Sequence, residues 1–151
     1  MTFKGNRKMQ NFKKIVDEEW SSFSVPSKES LSKHIVYILL YPGRFVPVCD
    51  KNGELSGAID KEKIKKIPAE KVKNISIASI KENAPFVAYH TIPETVLLQE
   101  MEKKKIQNIF LIDRRYQYKG SIRIELPTEK NPIKNIFDRL FELSLNETKA
   151  S

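Results

Sequence analysis

The segment Phe45 to Ile59, FVPVCDKNGELSGAI, returns later in the chain as Asn108 to Ile122, NIFLIDRRYQYKGSI. The spacing is constant, since Asp113 minus Asp50 and Gly120 minus Gly57 both give 63. Each copy reads as a short apolar strand, an acidic turn and a returning strand that ends in glycine followed by apolar residues, which is the pattern of a β-hairpin. A repeat fixes what one structural unit is, so the chain must be built from two copies of one unit. A chain of 151 residues buries about 68–70% of its unfolded surface, enough for two small units that share a core.

Reading outward from the hairpins gives the rest of the unit. Met9, Phe12, Val16 and Trp20 recur at helical spacing and predict an amphipathic helix over Arg7 to Trp20. Ser22 to Val25 reads as a brief strand stopped by Pro26. Ser27 is expected to cap the next helix, with Glu29 in its first turn and Leu31, Ile35, Ile38 and Leu39 facing inward until Pro42-Gly43 breaks it. His34, beside that face, reads as a part-buried, hydrogen-bonded histidine. Asn52-Gly53 supplies the positive φ of the first hairpin turn. A charged helical segment, Asp60 to Ile67, ends at Pro68, and Ala69 to Asn83 links the repeats with Val72, Ile75, Ile77 and Ile80 as its apolar positions.

The second unit begins with a strand at Phe86 to Tyr89, and Thr91-Ile-Pro-Glu94 predicts a capping box before a helix that points Val96, Leu97 and Met101 inward and ends near Lys105. The offset pairs Phe23 with Phe86, Ile35 with Leu98, Ile38 with Met101, Val46 with Ile109, Val48 with Leu111 and Ile59 with Ile122, all apolar. Asn131-Pro132 opens a last amphipathic helix carrying Ile133, Ile136, Phe137, Leu140 and Phe141. The expected divisions are 1–21 for a tail and helix, 22–83 for the first repeat and linker, 84–126 for the second repeat core, and 127–151 for a closing helix and tail.

Composition narrows the function classes. The net charge is +8, but the lysines of Lys61 to Lys66, Lys71 to Lys73 and Lys103 to Lys105 alternate with Glu62, Glu70 and Glu102, the pattern of solvated helix faces. No basic strand interleaved with aromatics and no zinc-finger spacing marks a specific nucleic-acid reader. The longest apolar run, Ile35 to Tyr41, is far short of the ~20 residues that span a bilayer, so no membrane span is expected. The single cysteine, Cys49, reads as a small core residue in a reducing, cytoplasmic setting. Neither a Ser/His/Asp or Cys/His pattern nor a glycine-rich phosphate loop is visible, and the chain is not expected to be an enzyme.

The repeated order of strand, helix and hairpin, with Phe45-Val-Pro-Val-Cys-Asp50, Gly53-Glu-Leu-Ser-Gly57-Ala-Ile59, Ile109-Phe-Leu-Ile-Asp113 and Gly120-Ser-Ile122, resembles a tandem pair of CBS domains, a Bateman module, over Ser22 to Leu126. The resemblance implies an α+β fold of two β-α-β-β(-α) repeats packed about a pseudo-twofold axis, with amphipathic helices at both ends. It also implies two clefts between the repeats, homodimerisation, and a regulatory role toward a protein partner, in many members through an adenosine nucleotide such as AMP, ADP or ATP.

In that family the hairpin glycine is followed, three residues on, by a Thr or Ser for phosphate and, three further on, by an Asp for ribose. Here the copies read Gly57-Ala-Ile-Asp60-Lys-Glu-Lys63 and Gly120-Ser-Ile-Arg123-Ile-Glu-Leu126. Asp60 would meet a phosphate with like charge, at a cost of about 4 kcal/mol for ~4 Å and an effective dielectric of ~20. Arg123 would attract an anion instead. The expected ligand site is therefore the second cleft, with Arg123 joined by Ala88, Tyr89, His90 and Thr91 from the strand before the second helix; Arg114 and Arg115 are expected in solvent. The competing reading is a degenerate pair that serves as a dimerisation or docking module without ligand.

Overall fold

The 63-residue offset governs the structure element by element. The computed structural model describes residues 13–15 and 20–125. Strand β1 is Lys13–Ile15, and the first repeat then runs β2 (Val25–Pro26), α1 (Leu31–Leu40), β3 (Phe45–Cys49) and β4 (Leu55–Asp60). Three one-turn helices follow, α2 (Lys61–Ile64), α3 (Ala69–Val72) and α4 (Ile77–Ile80). The second repeat is β5 (Val87–Tyr89), α5 (Glu94–Lys104), β6 (Asn108–Ile112) and β7 (Tyr118–Glu125). β3 and β6 coincide residue for residue under the offset, as do the first residues of α1 and α5 and of β4 and β7.

Each repeat forms a mixed sheet, in the order β2-β3-β4 for the first and β1-β7-β6-β5 for the second. In both, the leading strand runs parallel to the first hairpin strand and the hairpin closes antiparallel. The hairpins share a register slip, between Val48 and Cys49 and between Leu111 and Ile112. Their turns are alike too. Asp50 Oδ1 accepts from the Asn52 and Glu54 amides at 2.9 and 3.0 Å, and Asp113 Oδ1 from those of Arg115 and Gln117 at 2.8 and 2.9 Å. Of the expected Asn52-Gly53 pair only Gly53 has positive φ, at 83°, and its counterpart is Tyr116 at 65°, a left-handed conformation that side chains rarely adopt.

The two turns meet. Leu55 donates to the Tyr116 carbonyl at 2.9 Å and Tyr118 to the Gly53 carbonyl at 3.0 Å, with Glu54 bridged to Gln117. Because 116 is 53 plus 63 and 118 is 55 plus 63, the two bonds are one contact applied twice, as a twofold axis through the Glu54–Gln117 bridge requires. A shared core of Leu55, Ala58, Phe110 and Ile112 lies at this junction. Separate cores fill each repeat, around Leu31, Ile38, Tyr41, Val46 and Ile59 in the first and Leu97, Met101, Ile109 and Ile124 in the second.

Several local expectations are corrected. Lys13–Ile15, expected in a helix, is a strand paired with Arg123 to Glu125, because the open edge of β7 offers ladder partners that outweigh helical periodicity. Trp20, the last residue of that expected helix, is in a turn; the helix's other residues and the closing helix at Ile133 to Leu143 lie outside the described residues. The brief strand is Val25–Pro26 rather than Ser22 to Val25, set by pairing with Val48 and Cys49. Ser27 does not cap α1, whose N-cap is Ser30, without a side-chain bond. The first helical amide, of Leu31, instead donates to the Ile75 carbonyl at 2.8 Å, and Ile77 donates to that of Glu29 at 2.9 Å. Thr91 likewise forms no capping box, since α5 starts at Glu94 after the N-cap Pro93, whose carbonyl accepts the Val96 and Leu97 amides. Leu39 and Val96, expected inward, are 45% and 46% exposed. Each sits one residue from a buried position, Ile38 or Leu97, and one residue turns a helix by about 100°. His34 is bonded to Glu29 as a part-buried histidine, and with Lys33 it lowers the Glu29 carboxyl below its ordinary range.

Candidate functional site

Arg123 lies on β7, level with Asn108 at the start of β6. Because β5 runs parallel to β6 with Val87 beside Phe110, Asn108 is level with Pro85, and Arg123 therefore faces the beginning of β5. Tyr89 pairs with Ile112, four residues further along, about 13 Å away at strand rise. The expected constellation is accordingly divided between two places. Arg123 lines a cleft of about 230 Å³, while Tyr89, His90 and Thr91 line a recess of about 270 Å³ with Asp113, Arg114 and Arg115. Ala88 enters neither; it packs against the core of the second repeat.

The cleft lies between the repeats. One wall is Pro42 to Phe45 of the first repeat; the other is Pro85, Phe86 and Lys105 to Asn108 of the second, with Phe110, Arg123 and Ile124 between them. Arg44, Lys105 and Arg123 give it three cationic side chains, and no carboxylate lines it among the described residues. Its apolar surface includes the rings of Phe45, Phe86 and Phe110, and Phe86 is 42% exposed. Lys105 ends α5 in the left-handed conformation, φ 60°, which turns the chain sharply from the helix toward β6. Asn108 donates from Nδ2 to the Tyr41 hydroxyl at 3.0 Å, and its amide oxygen is buried without a hydrogen-bond partner among the described residues.

Arg44 was not legible as a site residue. It precedes β3, whose first residue, Phe45, pairs with Asp60 at the end of β4, the position that Arg123 holds in the second repeat. Its Nε and Nη2 donate to the two carboxylate oxygens of Asp60 at 2.9 and 3.0 Å. Asp60 is buried and also caps α2 by accepting the Glu62 amide at 3.0 Å. The Arg44 guanidinium, with help from that amide, holds the Asp60 carboxyl below the ordinary aspartate range against the opposing effect of burial. Asp60 thus takes two of the five N–H donors that a guanidinium carries, and Arg44 still borders the cleft. Lys105 and Phe86 were also missed. The signal for them was in the offset, because Pro42 to Phe45 and Lys105 to Asn108 are equivalent segments that meet across the cleft.

The first repeat has no matching exposed ring. Phe23, the counterpart of Phe86, is stacked on Tyr41 at 5.7 Å and met edge-on by Trp20 at 5.0 Å, and Tyr41 is itself buried. Among the described residues no group of three His, Cys, Asp or Glu side chains is placed to hold a metal ion, and no helix is long and apolar enough to cross a membrane.

No protein-family model matches the sequence, and no curated protein matches it. Solved structures do match. A CBS domain-containing protein from Bacillus anthracis aligns at TM-score 0.57 and 14% identity, over 73% of this chain and 82% of that one. The Listeria monocytogenes CbpB protein, in complex with c-di-AMP, aligns at TM-score 0.56 and 13% identity, over 86% of this chain and 95% of that one. The CBS domain of a bacterial CNNM/CorC family Mg2+ transporter, in complex with ATP, aligns at TM-score 0.50 and 17% identity, over 67% of this chain and 72% of that one. Together with the repeated topology and its internal twofold, these matches establish that the chain has the fold of a tandem CBS-domain pair.

Proposed function

We propose that the chain is a non-catalytic regulatory module that takes an adenine nucleotide in the cleft beside Arg123. The observation that carries this reading is a cleft lined by Lys105, Arg123 and the Asp60-paired Arg44, with exposed aromatic surface and no carboxylate among the described lining residues. Anionic phosphates suit Arg44, Lys105 and Arg123, and a purine suits the Phe86 ring. The ATP and c-di-AMP complexes of two proteins of the same fold support the choice of adenine. Ligand occupancy would be transmitted to a regulated protein in the cytoplasm.

A thermal-shift panel of AMP, ADP, ATP and c-di-AMP tests the proposal, because a ligand of the folded state stabilises by RT ln(1 + [L]/Kd). At least one member should raise the melting temperature at millimolar concentration, and Arg123→Ala should reduce the shift. No shift with any member would refute it for adenine ligands.

A second reading, homodimerisation, is favoured by the outward face of α1. Val36, Tyr37 and Leu40 are 63%, 58% and 62% exposed, while Leu31 and Ile38 are fully buried on the opposite side. From Ile35 to Leu40 the helix is apolar on every face, and such a segment ordinarily has protein on both sides. The equivalent positions of α5 are Gln99, Glu100 and Lys103, so of the two repeat helices α1 alone offers such a face, and a closed pair can form through one isologous contact. Sedimentation at tens of micromolar should give a dimer that Leu40→Glu converts to monomer; a wild-type monomer would exclude this reading.

A further inference from the structure

The recess at the far end of β5 is built by two segments, the β5–α5 corner with Tyr89, His90 and Thr91, and the β6–β7 turn with Asp113, Arg114 and Arg115. Neither arginine has an ion-pair partner among the described residues. The one carboxylate in the recess, Asp113, is already engaged. Its Oδ1 accepts the Arg115 and Gln117 amides, and Oδ2 lies 3.8 Å from Lys119 Nζ. These contacts hold the turn and offset the only negative charge that would oppose an anion.

The turn is also rigid on its other side. Tyr116, the residue after the arginines, has its carbonyl bound by Leu55, and Tyr118 donates to Gly53, so the second turn is clamped to the first across the pseudo-twofold. Tyr116 is kept at a φ of 65° where the first repeat has glycine. Such conformations persist where the surroundings enforce them, often beside binding sites. On the opposite wall His90 is fixed through its amide, which donates to the Ile112 carbonyl at 2.9 Å. The corresponding residues of the first repeat are Ser27, Lys51 and Asn52, so the concentration of two guanidinium groups and an imidazole is particular to the second.

We infer that this recess is an anion site for a phosphate or phosphomonoester group, held by Arg114 and Arg115 and approached by His90, separate from the cleft beside Arg123. Guanidinium groups offer paired N–H donors that match the oxygens of a phosphate. The half-exposed Tyr89 ring borders the recess and gives an organic ester an apolar surface to lie on.

The inference does not rest on the cleft's ligand, and the test separates the two. The full chain, labelled with 15N, is titrated with inorganic phosphate and, at matched ionic strength, with sodium chloride. The amides of Thr91, Arg114 and Arg115 should shift saturably with phosphate and not with chloride. Phenyl phosphate should move the same signals and those of Tyr89 in addition. The double substitution Arg114→Gln/Arg115→Gln, on exposed side chains, should raise the apparent Kd for phosphate at least tenfold while leaving any response to ATP around Gly43, Phe86 and Arg123 unchanged. Shifts that follow ionic strength alike in phosphate and chloride, or that saturate only around Arg123, would overturn the proposal. So would undiminished binding by the double variant.

Discussion

Asp60 and Arg123 occupy one position in the two repeats and carry opposite charges, and the difference decides how each end of the molecule is built. In the first repeat the carboxylate turns inward, pairs with Arg44 and caps α2. The like-charge objection to a phosphate at Asp60 therefore meets a carboxylate that is buried and already neutralised. Arg44 lowers the Asp60 pKa in the folded state. A lowered carboxylate pKa contributes stability that is fully present above the unfolded value, about 3.9, and is lost as pH falls through the native value. Asp60→Asn should therefore destabilise the protein near neutral pH, and Asp60→Ala should additionally lose the cap, worth about 1 kcal/mol. The gap between wild type and Asp60→Asn should narrow below about pH 4. Urea midpoints at pH 7, 4 and 3 measure it; a gap that is constant over this range would show that the carboxylate's charge is not what stabilises the fold.

At the level of elements, the hairpins were legible because their information is local: alternation places the strands, and Asp50 and Asp113 bind the amides of their own turns. The helix starts were less legible because their amides are satisfied from elsewhere, Leu31 by the carbonyl of Ile75 in the linker. Arg123 could be read from its place after Gly120, but its companions depend on strand register, which put Tyr89 and His90 at the other end of β5 and brought in Arg44, Phe86 and Lys105. The hairpin glycines show the same dependence. Ala58 and Glu82 exchange two amide bonds of 2.8 Å, and Ser121 donates to the Ser21 carbonyl at 2.8 Å, so the segment leading into each repeat crosses the hairpin of the other. A Cβ on Gly57 would stand 2.5 Å from the Glu82 carbonyl oxygen. Relief would require moving backbone that is bonded on both sides, and Gly57→Ala should cost about 1–3 kcal/mol, the range for overpacking. A urea midpoint within error of wild type would mean that the crossing segment yields freely.

The whole molecule is held together by these exchanges more than by a boundary between repeats. Each leading segment lies on the other repeat's hairpin, the turns bond across the pseudo-twofold, and Leu55 and Ala58 of the first repeat share a core with Phe110 and Ile112 of the second. Such a structure should unfold in one step, since separating the repeats would expose the shared core and leave both turns with unpaired amides. The single tryptophan reports on this. Trp20 packs against Phe23 and Tyr41 in the first repeat, whereas far-UV circular dichroism follows both repeats. Phe110 is 2% exposed, belongs to the second repeat and meets the first in the shared core. Phe110→Ala should cost about 3–5 kcal/mol, as for a large buried aromatic side chain. The midpoint of the Trp20 fluorescence transition should fall together with that of the dichroism. If Trp20 kept its wild-type midpoint while the dichroism lost amplitude earlier, the repeats would be independent folding units, and the reciprocal contacts at the axis would be contributing little to their union.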